Sequence, residues 1–273
     1  METVRSRDGT TIAFDRLGDG PAVILVGGAF SYRDFPKMRD LAELLASRFS
    51  VINYDRRGRG DSGDAAAYDV RREIEDLHAL IDAASGAASL WGWSSGGTLA
   101  LRAAGAGLNV EKLAIYEAPF MVDKSCRLPP PDFAERLDAL VAAGRRSAAV
   151  RYYMTKGMGI PPAVVGLMRL APFWSKLKAV AHTLPYDWAV LGDATSGPPS
   201  ADEWAPVTAP ALVMAGEKSP AQLRDSARML ADVLPNAEHR TLEGQSHNPS
   251  MKAIARVIEE FFAIETGARV PPG

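Results

Sequence analysis

The most constraining feature of this sequence is an apolar strand that runs into a glycine-flanked serine turn and then into a helix. Residues 90–97 read LWGWSSGG, a Gly-x-Ser-x-Gly pattern, and an alanine- and leucine-rich helix is predicted over Thr98–Ala106. A serine in so tight a strand-to-helix turn has a strained backbone, and side chains at Gly92 and Gly96 would collide with neighbouring chain. The serine projects into a cleft, which makes Ser94 the candidate nucleophile.

Size and charge limit the class of protein. With 273 residues, 47% of them hydrophobic, the chain can bury a full core as one large domain or as one domain with an insertion. Its 31 basic and 33 acidic residues give a net charge of -2, so no global charge draws it to nucleic acid or to an anionic membrane. The N-terminus is charged where a signal peptide is apolar, and no segment approaches the roughly 18 apolar residues of a membrane span. These features predict a cytoplasmic protein without membrane insertion.

Cysteine content bears on the chemistry. Cys126 is the only cysteine, which excludes an internal disulfide and leaves no cluster for a structural zinc site. We interpret it as an ordinary semi-buried thiol, and a Cys-His mechanism is disfavoured.

Apolar runs alternate with helical patterns, as parallel-sheet units require. Strands are predicted at 3–7, 11–15, 22–26, 49–54, 90–93, 113–116, 211–215 and 239–242, and helices at 36–48, 70–84, 98–106, 221–234 and 249–264. The first two strands are predicted to form a hairpin. The alternation of strands and helices indicates an α/β architecture.

The rhythm changes at Pro119, after which about 85 residues show helical stretches broken by prolines and no convincing strand. We therefore predict a core domain over 1–119 and 206–273 and an inserted helical lid over 120–205. Several large lid side chains are candidates to line an apolar pocket, although such residues at helical spacing are commonly ordinary packing. They are Trp174, Met154, Met158, Tyr186 and Trp188.

Four motifs in order along the chain carry a family resemblance. They are LVGGAF (25–30), YDRRGRGDSG (54–63), GWSSGG (92–97) and LEGQSHNPS (242–250), each directly after a predicted strand. With these motifs the chain resembles the α/β-hydrolase superfamily over nearly its whole length. The resemblance implies an eight-stranded, mostly parallel sheet flanked by helices, with a helical lid inserted.

A serine hydroxyl needs a base, and the ordinary histidine pKa near 6.5 suits a group that takes and returns a proton. His78, His182 and His239 fall within a predicted helix, the lid and a strand, where structural roles are expected. His247 lies in a loop just after the last strand, which is where the resemblance places the base.

The acid that orients the histidine departs from the family pattern. Most of the family has an aspartate three residues after the glycine that closes the seventh strand, and here that position is Ser219. Glu217, two positions early, is one candidate. Glu117 is the better one, because it directly follows the sixth strand in a Glu-x-Pro context. This layout is similar to that of the hydrolases that open the lactone of zearalenone.

The developing negative charge on the attacked carbonyl oxygen needs preorganised donors. The backbone amide of Ser95 lies at the start of a helix, whose dipole favours an anion, and Ala29 supplies the second amide by resemblance. Arg56, Arg57 and Arg59 are interpreted as a solvated turn rather than as an anion site.

Together these residues predict a serine hydrolase that cleaves a small hydrophobic carboxylic ester or lactone through an acyl-enzyme on Ser94. No metal or organic cofactor is required, and a homodimer is one assembly compatible with the sequence. Two alternatives stay open. The same residues could serve a carbon-carbon bond hydrolase or a perhydrolase-like enzyme. The missing aspartate at Ser219 also leaves room for a slow-turnover ligand-binding receptor.

Overall fold

Eight β-strands form the centre of the protein. The computed structural model describes residues 1–65, 67–121, 129–192 and 197–263. Its strands are β1 (Glu2–Arg5), β2 (Thr11–Leu17), β3 (Ala22–Val26), β4 (Ser50–Tyr54), β5 (Ala88–Trp93), β6 (Val110–Tyr116), β7 (Ala211–Gly216) and β8 (Ala237–Leu242). Each overlaps a predicted strand. Cys126 lies outside the described residues, so its semi-buried environment stays a prediction.

The strands make one sheet in the order β1-β2-β4-β3-β5-β6-β7-β8. Pairings β1-β2 and β2-β4 are antiparallel, and all the others are parallel, which confirms the predicted mostly parallel sheet. The chain passes from β3 to β4 on one side and then returns to place β5 on the other side of β3. Ligands of open α/β sheets bind outside the carboxyl ends of the strands at such a switch point.

Helices connect the strands. They are α1 (Pro36–Leu45), α2 (Val70–Ala83), α3 (Ser95–Gly105), α4 (Phe133–Ala142), α5 (Arg146–Tyr152), α6 (Pro162–Met168), α7 (Trp174–Ala179), α8 (Leu184–Leu191), α9 (Ala201–Trp204), α10 (Ala221–Val233) and α11 (Met251–Ala263). A π-helical turn, Tyr153–Gly157, continues α5, and a 3-10 turn, Ala181–Thr183, precedes α8. Within the described parts of the chain, no helix is both long and apolar enough to cross a membrane.

The side chains of the parallel strands alternate between two apolar layers, because successive residues of a strand point to opposite faces. Ile24 and Val26 of β3 pack into a cluster with residues of α2, α3 and α10. Val23 and Leu25 pack into a second cluster with residues of α1 and α11. Both faces of the sheet are therefore covered, which is why these strands read as continuous apolar runs in the sequence.

Helices α4 to α9 lie between β6 and β7, and the described residues of this segment contain no strand. Buried side chains of α4 to α8 form a third apolar cluster, which includes Phe133, Leu137, Val150 and Leu184, whereas Val190 and Trp204 belong to the first cluster. Phe30, from the loop after β3, belongs to the same cluster. The segment therefore packs against the loop that follows β3. The proposed domain boundaries, 1–119 with 206–273 and 120–205, stay predictions.

The turn after β4 differs from expectation. The interpretation of Arg56, Arg57 and Arg59 as a solvated turn is wrong, since these residues are only 2%, 1% and 1% exposed. Arg56 pairs with Glu73 of α2 and Asp187 of α8, and Arg57 pairs with Asp76 of α2. Buried charges require such partners, and the partners are distant in sequence.

The glycines around Ser94 are sterically required, as the sequence indicated. A Cβ atom at Gly92 would lie 2.5 Å from the Gly97 Cα atom, and one at Gly96 would lie 2.2 Å from the Val26 carbonyl oxygen. Both obstacles are backbone atoms, which cannot rotate away.

We expect Gly96→Ala to lower the free energy of unfolding by about 1–3 kcal/mol or more, because overpacking against backbone forces the chain to shift. Gly105, in the same helix, is the matched control, since the closest atom to its Cβ position is a Val207 methyl carbon at 3.5 Å. Gly105→Ala should be neutral or stabilising by up to about 1 kcal/mol, through helix propensity. Urea unfolding of both variants measures the contrast, and equal stabilities would contradict it.

Candidate active site

Ser94 joins β5 to α3 in a strained conformation. Its φ of 55° and ψ of -127° place it in the left-handed half of backbone space, which non-glycine residues rarely occupy. Its amide donates to the carbonyl oxygen of Tyr116, the last residue of β6, at 2.9 Å. Because it directly follows β5, the residue lies at the carboxyl edge of the sheet. It is half-buried and thus partly accessible to solvent.

Glu117 follows β6 directly and is fully buried, and it also has a positive φ, of 52°. Its Oε1 atom accepts hydrogen bonds from the Gly216 amide, at 2.7 Å, and from the Ser219 hydroxyl. Burial alone would raise the pKa of this carboxyl, but the hydrogen bonds from His247, Ser219 and Gly216 outweigh burial and hold the pKa below its ordinary value. The group is therefore a carboxylate at neutral pH.

His247 lies in the loop between β8 and α11, and its Nδ1 atom is 2.6 Å from Glu117 Oε2. The side chain is 30% exposed, whereas its partner carboxylate is inaccessible to solvent. The loop is fixed by two hydrogen bonds from the sheet edge. Trp93 Nε1 donates to the His247 carbonyl at 3.2 Å, and the Tyr116 hydroxyl donates to the Ser246 carbonyl at 2.6 Å.

Ser94, Glu117 and His247 all lie at one edge of the sheet, but only two of them are hydrogen-bonded to each other. Glu117 and His247 are directly joined, while Ser94 and His247 share no hydrogen bond among the described residues. Nucleophile-base contacts are often long in unliganded enzymes and tighten when substrate is bound. The geometry therefore supplies an imidazole oriented by a carboxylate and a half-buried serine hydroxyl at the same edge of the sheet.

The other candidate residues lie elsewhere. Glu217 is exposed, and its carboxylate accepts a hydrogen bond from the Gly244 amide at 2.8 Å rather than one from His247. His78 sits on α2, where its side chain is 62% exposed and 3.1 Å from Asp82. His182 is in the 3-10 turn before α8, and His239 is on β8. None of these three histidines hydrogen-bonds a residue at the sheet edge within the described chain.

The loop after β3 lies against the serine turn. A Cβ atom at Gly28 would be 2.6 Å from the Trp93 carbonyl oxygen and 3.1 Å from Ser94 Cβ, so only glycine fits there. Across the parts of the chain that the structure describes, the amides of Ala29 and Ser95 donate to no protein acceptor. Free amides beside a nucleophile, one of them at the start of a helix, are the donors that a developing oxyanion requires.

The five lid residues named from the sequence take different positions. Met154 and Trp174 are buried in the third apolar cluster, whereas Met158 is 44% exposed. Tyr186 stacks on Tyr68 with ring centroids 4.0 Å apart, and Trp188 lies 4.4 Å from Phe133 by the same measure. Among the described residues, none of the five has a hydrogen bond or ring contact with Ser94, Glu117 or His247. A role for them in substrate binding stays a proposal.

Sequence reasoning missed two contributors to this edge. One is Ser219, considered only as a position from which the acid was missing, which donates a hydrogen bond to Glu117. The other is Asp187 of α8, which is fully buried and accepts hydrogen bonds from Arg56, Arg59 and Ser95. An isolated carboxylate in the apolar run Leu184–Leu191 was the available signal, because such a group needs a buried partner.

Metal chemistry has no ready site in the described residues, since they include no group of three or more histidine, cysteine, aspartate or glutamate side chains placed to hold an ion. What the site offers is a hydroxyl, an imidazole held by a carboxylate, and two free amides. This set is suited to acyl transfer.

A sequence profile of the alpha/beta hydrolase family matches residues 22–260, and the chain belongs to this family. An alpha/beta hydrolase from Sphaerobacter thermophilus is 54% identical, with a TM-score of 0.89 over 96% of this chain and all of that one. The enol-lactonase from Burkholderia xenovorans, at 18% identity and a TM-score of 0.70, covers 96% of this chain and 100% of its own, and shares the fold.

A relative with a curated description is the polyketide synthase ThaQ of Burkholderia thailandensis. It is 30% identical over an alignment of 249 residues, and the match covers 85% of this chain. The chain spans only 11% of the length of that synthase. The similarity therefore concerns one segment of a much larger protein.

The contact between Ser219 and Glu117 generates a prediction. Because Ser219 Oγ lies within hydrogen-bonding distance of the Glu117 carboxylate, an aspartate at position 219 can approach His247 Nδ1 from the neighbouring strand end. We expect Glu117→Ala to lose most hydrolase activity and the double variant Glu117→Ala/Ser219→Asp to regain at least about tenfold, since an orienting acid is worth orders of magnitude in turnover. Steady-state kcat values test this, and a double variant no better than Glu117→Ala would contradict it.

Proposed function

We propose that this protein is a serine hydrolase that cleaves a carboxylic ester or lactone through an acyl-enzyme on Ser94. The observation that carries the proposal is the 2.6 Å contact between His247 Nδ1 and the buried, ionised Glu117, beside a serine held in a strained strand-to-helix turn. Structural histidines seldom have one nitrogen fixed by a buried carboxylate and the ring left partly open to solvent. That arrangement suits a general base.

In the proposed reaction, Ser94 Oγ attacks the carbonyl carbon while His247 Nε2 accepts the hydroxyl proton. Glu117 holds Nδ1–H, which fixes the tautomer and stabilises the imidazolium that forms. The amides of Ala29 and Ser95 receive the oxyanion. Collapse of the tetrahedral intermediate expels the alcohol, which takes its proton from His247. A water molecule, activated by the same imidazole, then releases the acid.

The substrate class is inferred from the apolar surroundings of the loop after β3 and from the position of the glutamate after β6. The third apolar cluster adjoins Ala29 and includes Phe30, so the surroundings of the oxyanion loop favour a hydrophobic acyl or alcohol group. The glutamate at the end of β6 supports a lactone, by its likeness in layout to zearalenone-type hydrolases. The enol-lactonase is a relative in fold only, so it is compatible with this choice without deciding it.

The reaction is tested with purified protein, short p-nitrophenyl esters and a panel of macrolactones. We expect turnover of at least one substrate and prompt labelling of Ser94 by a fluorophosphonate. Ser94→Ala should abolish both, because the other hydroxyl of the turn, that of Ser95, is buried and donates to Asp187. Turnover by Ser94→Ala equal to that of the wild type, or no turnover and no labelling by the wild type, would refute the proposal.

The orienting acid has its own test. Glu117→Gln keeps the size of the side chain but removes its charge, and we expect kcat to fall about ten-thousand-fold, the scale seen when such an acid is made neutral. Glu217→Gln is the matched control, because the Glu217 carboxylate accepts a hydrogen bond from the Gly244 amide in the neighbouring loop and none from His247. We expect it to keep kcat within about threefold. The reverse result would assign the acid to Glu217.

A further inference from the structure

A buried cluster of four charges lies directly behind the loop and the turn that carry the two free amides. Asp187 Oδ1 and Oδ2 each accept a hydrogen bond at 2.6 Å, from Arg56 Nη1 and Arg59 Nη2 respectively. Glu73 accepts two further bonds from Arg56, at 2.7 and 2.6 Å. Two guanidinium groups and two carboxylates leave no net charge, and all four residues are at most 2% exposed.

Arg59 helps to orient the Ala29 amide through one peptide bond. The Gly28 carbonyl oxygen accepts hydrogen bonds within its own loop from the Ser31 hydroxyl, at 2.6 Å, and from the Ser31 amide, at 3.2 Å, and Arg59 is its donor from outside the loop. The Arg59 Nη1 atom donates to the Gly28 carbonyl oxygen at 2.7 Å. The Gly28 carbonyl and the Ala29 N–H belong to the same planar, trans peptide unit, in which they point in opposite directions. A guanidinium that fixes the carbonyl on the buried side therefore fixes the N–H on the opposite side. Arg56 donates to the preceding carbonyl, that of Gly27, at 3.3 Å.

Asp187 connects the same cluster to the second amide. Its Oδ1 atom accepts a hydrogen bond from Ser95 Oγ at 2.8 Å. Ser95 is the first residue of α3 and is 2% exposed, so this contact anchors the residue whose amide follows the nucleophile. One carboxylate thus links the loop after β3, through Arg59, to the start of α3.

The cluster also polarises the amides that it orients. A cationic donor on a carbonyl oxygen draws electron density from the peptide unit and makes its N–H a stronger donor, an effect that is largest in a low-dielectric interior. Burial would raise the pKa of the Asp187 carboxyl, but Arg59 and Arg56 outweigh burial and hold that pKa below its ordinary value. Asp187 therefore remains charged, and the guanidinium groups, engaged by carboxylates and carbonyls, are not offered to substrate.

From these contacts we propose that Arg59 and Asp187 are positioning residues that preorganise the oxyanion-binding amides of Ala29 and Ser95. The inference rests on the proposed function. Asp187 belongs to α8 and Arg59 also donates to Thr183 in the turn before it, at 3.0 Å. α8 and the turn before it are consequently a structural part of the proposed oxyanion site.

The same turn provides a matched control for a merely structural role. Arg57 is as buried as Arg59 and makes an equally close ion pair, with Asp76 at 2.6 Å. Its remaining side-chain bonds go to Asp8, Ser6 and the Arg72 carbonyl, none of which belongs to the loop after β3. Arg57→Lys and Arg59→Lys therefore each remove a buried guanidinium group. Only Arg59→Lys changes contacts with the loop after β3, at the Gly28 and Ser31 carbonyls, and with Asp187 and Thr183.

The experiment compares kcat, KM and affinity for a trifluoromethyl ketone in these two variants. The ketone forms a tetrahedral adduct with Ser94 that carries a negative oxygen, so its affinity reports the oxyanion site. We expect Arg59→Lys to lower kcat and ketone affinity in parallel by about 10- to 100-fold, less than the roughly 100- to 1,000-fold cost of a deleted donor. KM should change little. Arg57→Lys should lose stability but keep both quantities within about threefold.

If Arg59→Lys does not fold, Ser95→Ala decides the question, since it removes only the bond to Asp187. Ser226→Ala is its control, because Ser226 is equally buried and bonds only to Phe120 and Ala118. Ser95→Ala should lower kcat and ketone affinity together by at least about threefold, and Ser226→Ala should lower neither.

Equal losses within either pair, or a loss of kcat without a loss of ketone affinity, would overturn the inference. Because the wild type is assayed first, an active wild type with equal losses refutes only the positioning role. An inactive and unlabelled wild type refutes the proposed function itself.

Discussion

The burial of three guanidinium groups in one turn is the constraint on which the rest of the structure depends. Removing a charge from water costs several kcal/mol unless partners with good geometry replace the water. Arg56, Arg57 and Arg59 find those partners in α2, in α8 and in the N-terminal hairpin, where Asp8 lies 3.0 Å from Arg57. Because the turn follows β4 and its buried guanidinium groups pair with these elements, the ion pairs fix the positions of the elements relative to the sheet.

Local patterns were sufficient to predict the architecture and to select Ser94, Glu117 and His247 as candidate site residues. Continuous apolar runs identify parallel strands. The glycines around Ser94 indicate a tight strand-to-helix turn, and the position of His247 in a loop after the last strand indicates a candidate base. The buried arginines could not be predicted in this way. The segment RRGRGDSG has the composition of a solvated turn, and the partners of Arg56 lie 17 and 131 residues away. The lone carboxylate of Asp187 in an apolar run indicates a buried partner but does not identify which one.

Glu117, the proposed acid, is held by donors from the neighbouring strand end, where the family usually has an aspartate and this chain has Ser219. Parallel pairing sets Tyr116 of β6 opposite Met214 of β7. Glu117 therefore lies close to Gly216, the last residue of β7, and to Ser219 in the turn that follows. Both residues then donate to the Glu117 carboxylate. The hydroxyl of Ser219 therefore helps to keep the Glu117 carboxylate ionised and oriented. Sequence could indicate the alternative acid but not this supporting bond, which depends on strand register.

Backbone strain is concentrated where chemistry is proposed. Among the described residues, four non-glycine residues have positive φ, namely Phe30, Ser85, Ser94 and Glu117. Three of them follow β3, β5 and β6 directly or within a few residues. Each such conformation costs on the order of 1–3 kcal/mol and persists only if the surroundings determine it. The surroundings here are the glycine contacts at the serine turn, the donors to Glu117 and the buried charges behind the loop after β3. The energy released by those contacts is what allows the three residues to hold conformations that an isolated chain would leave.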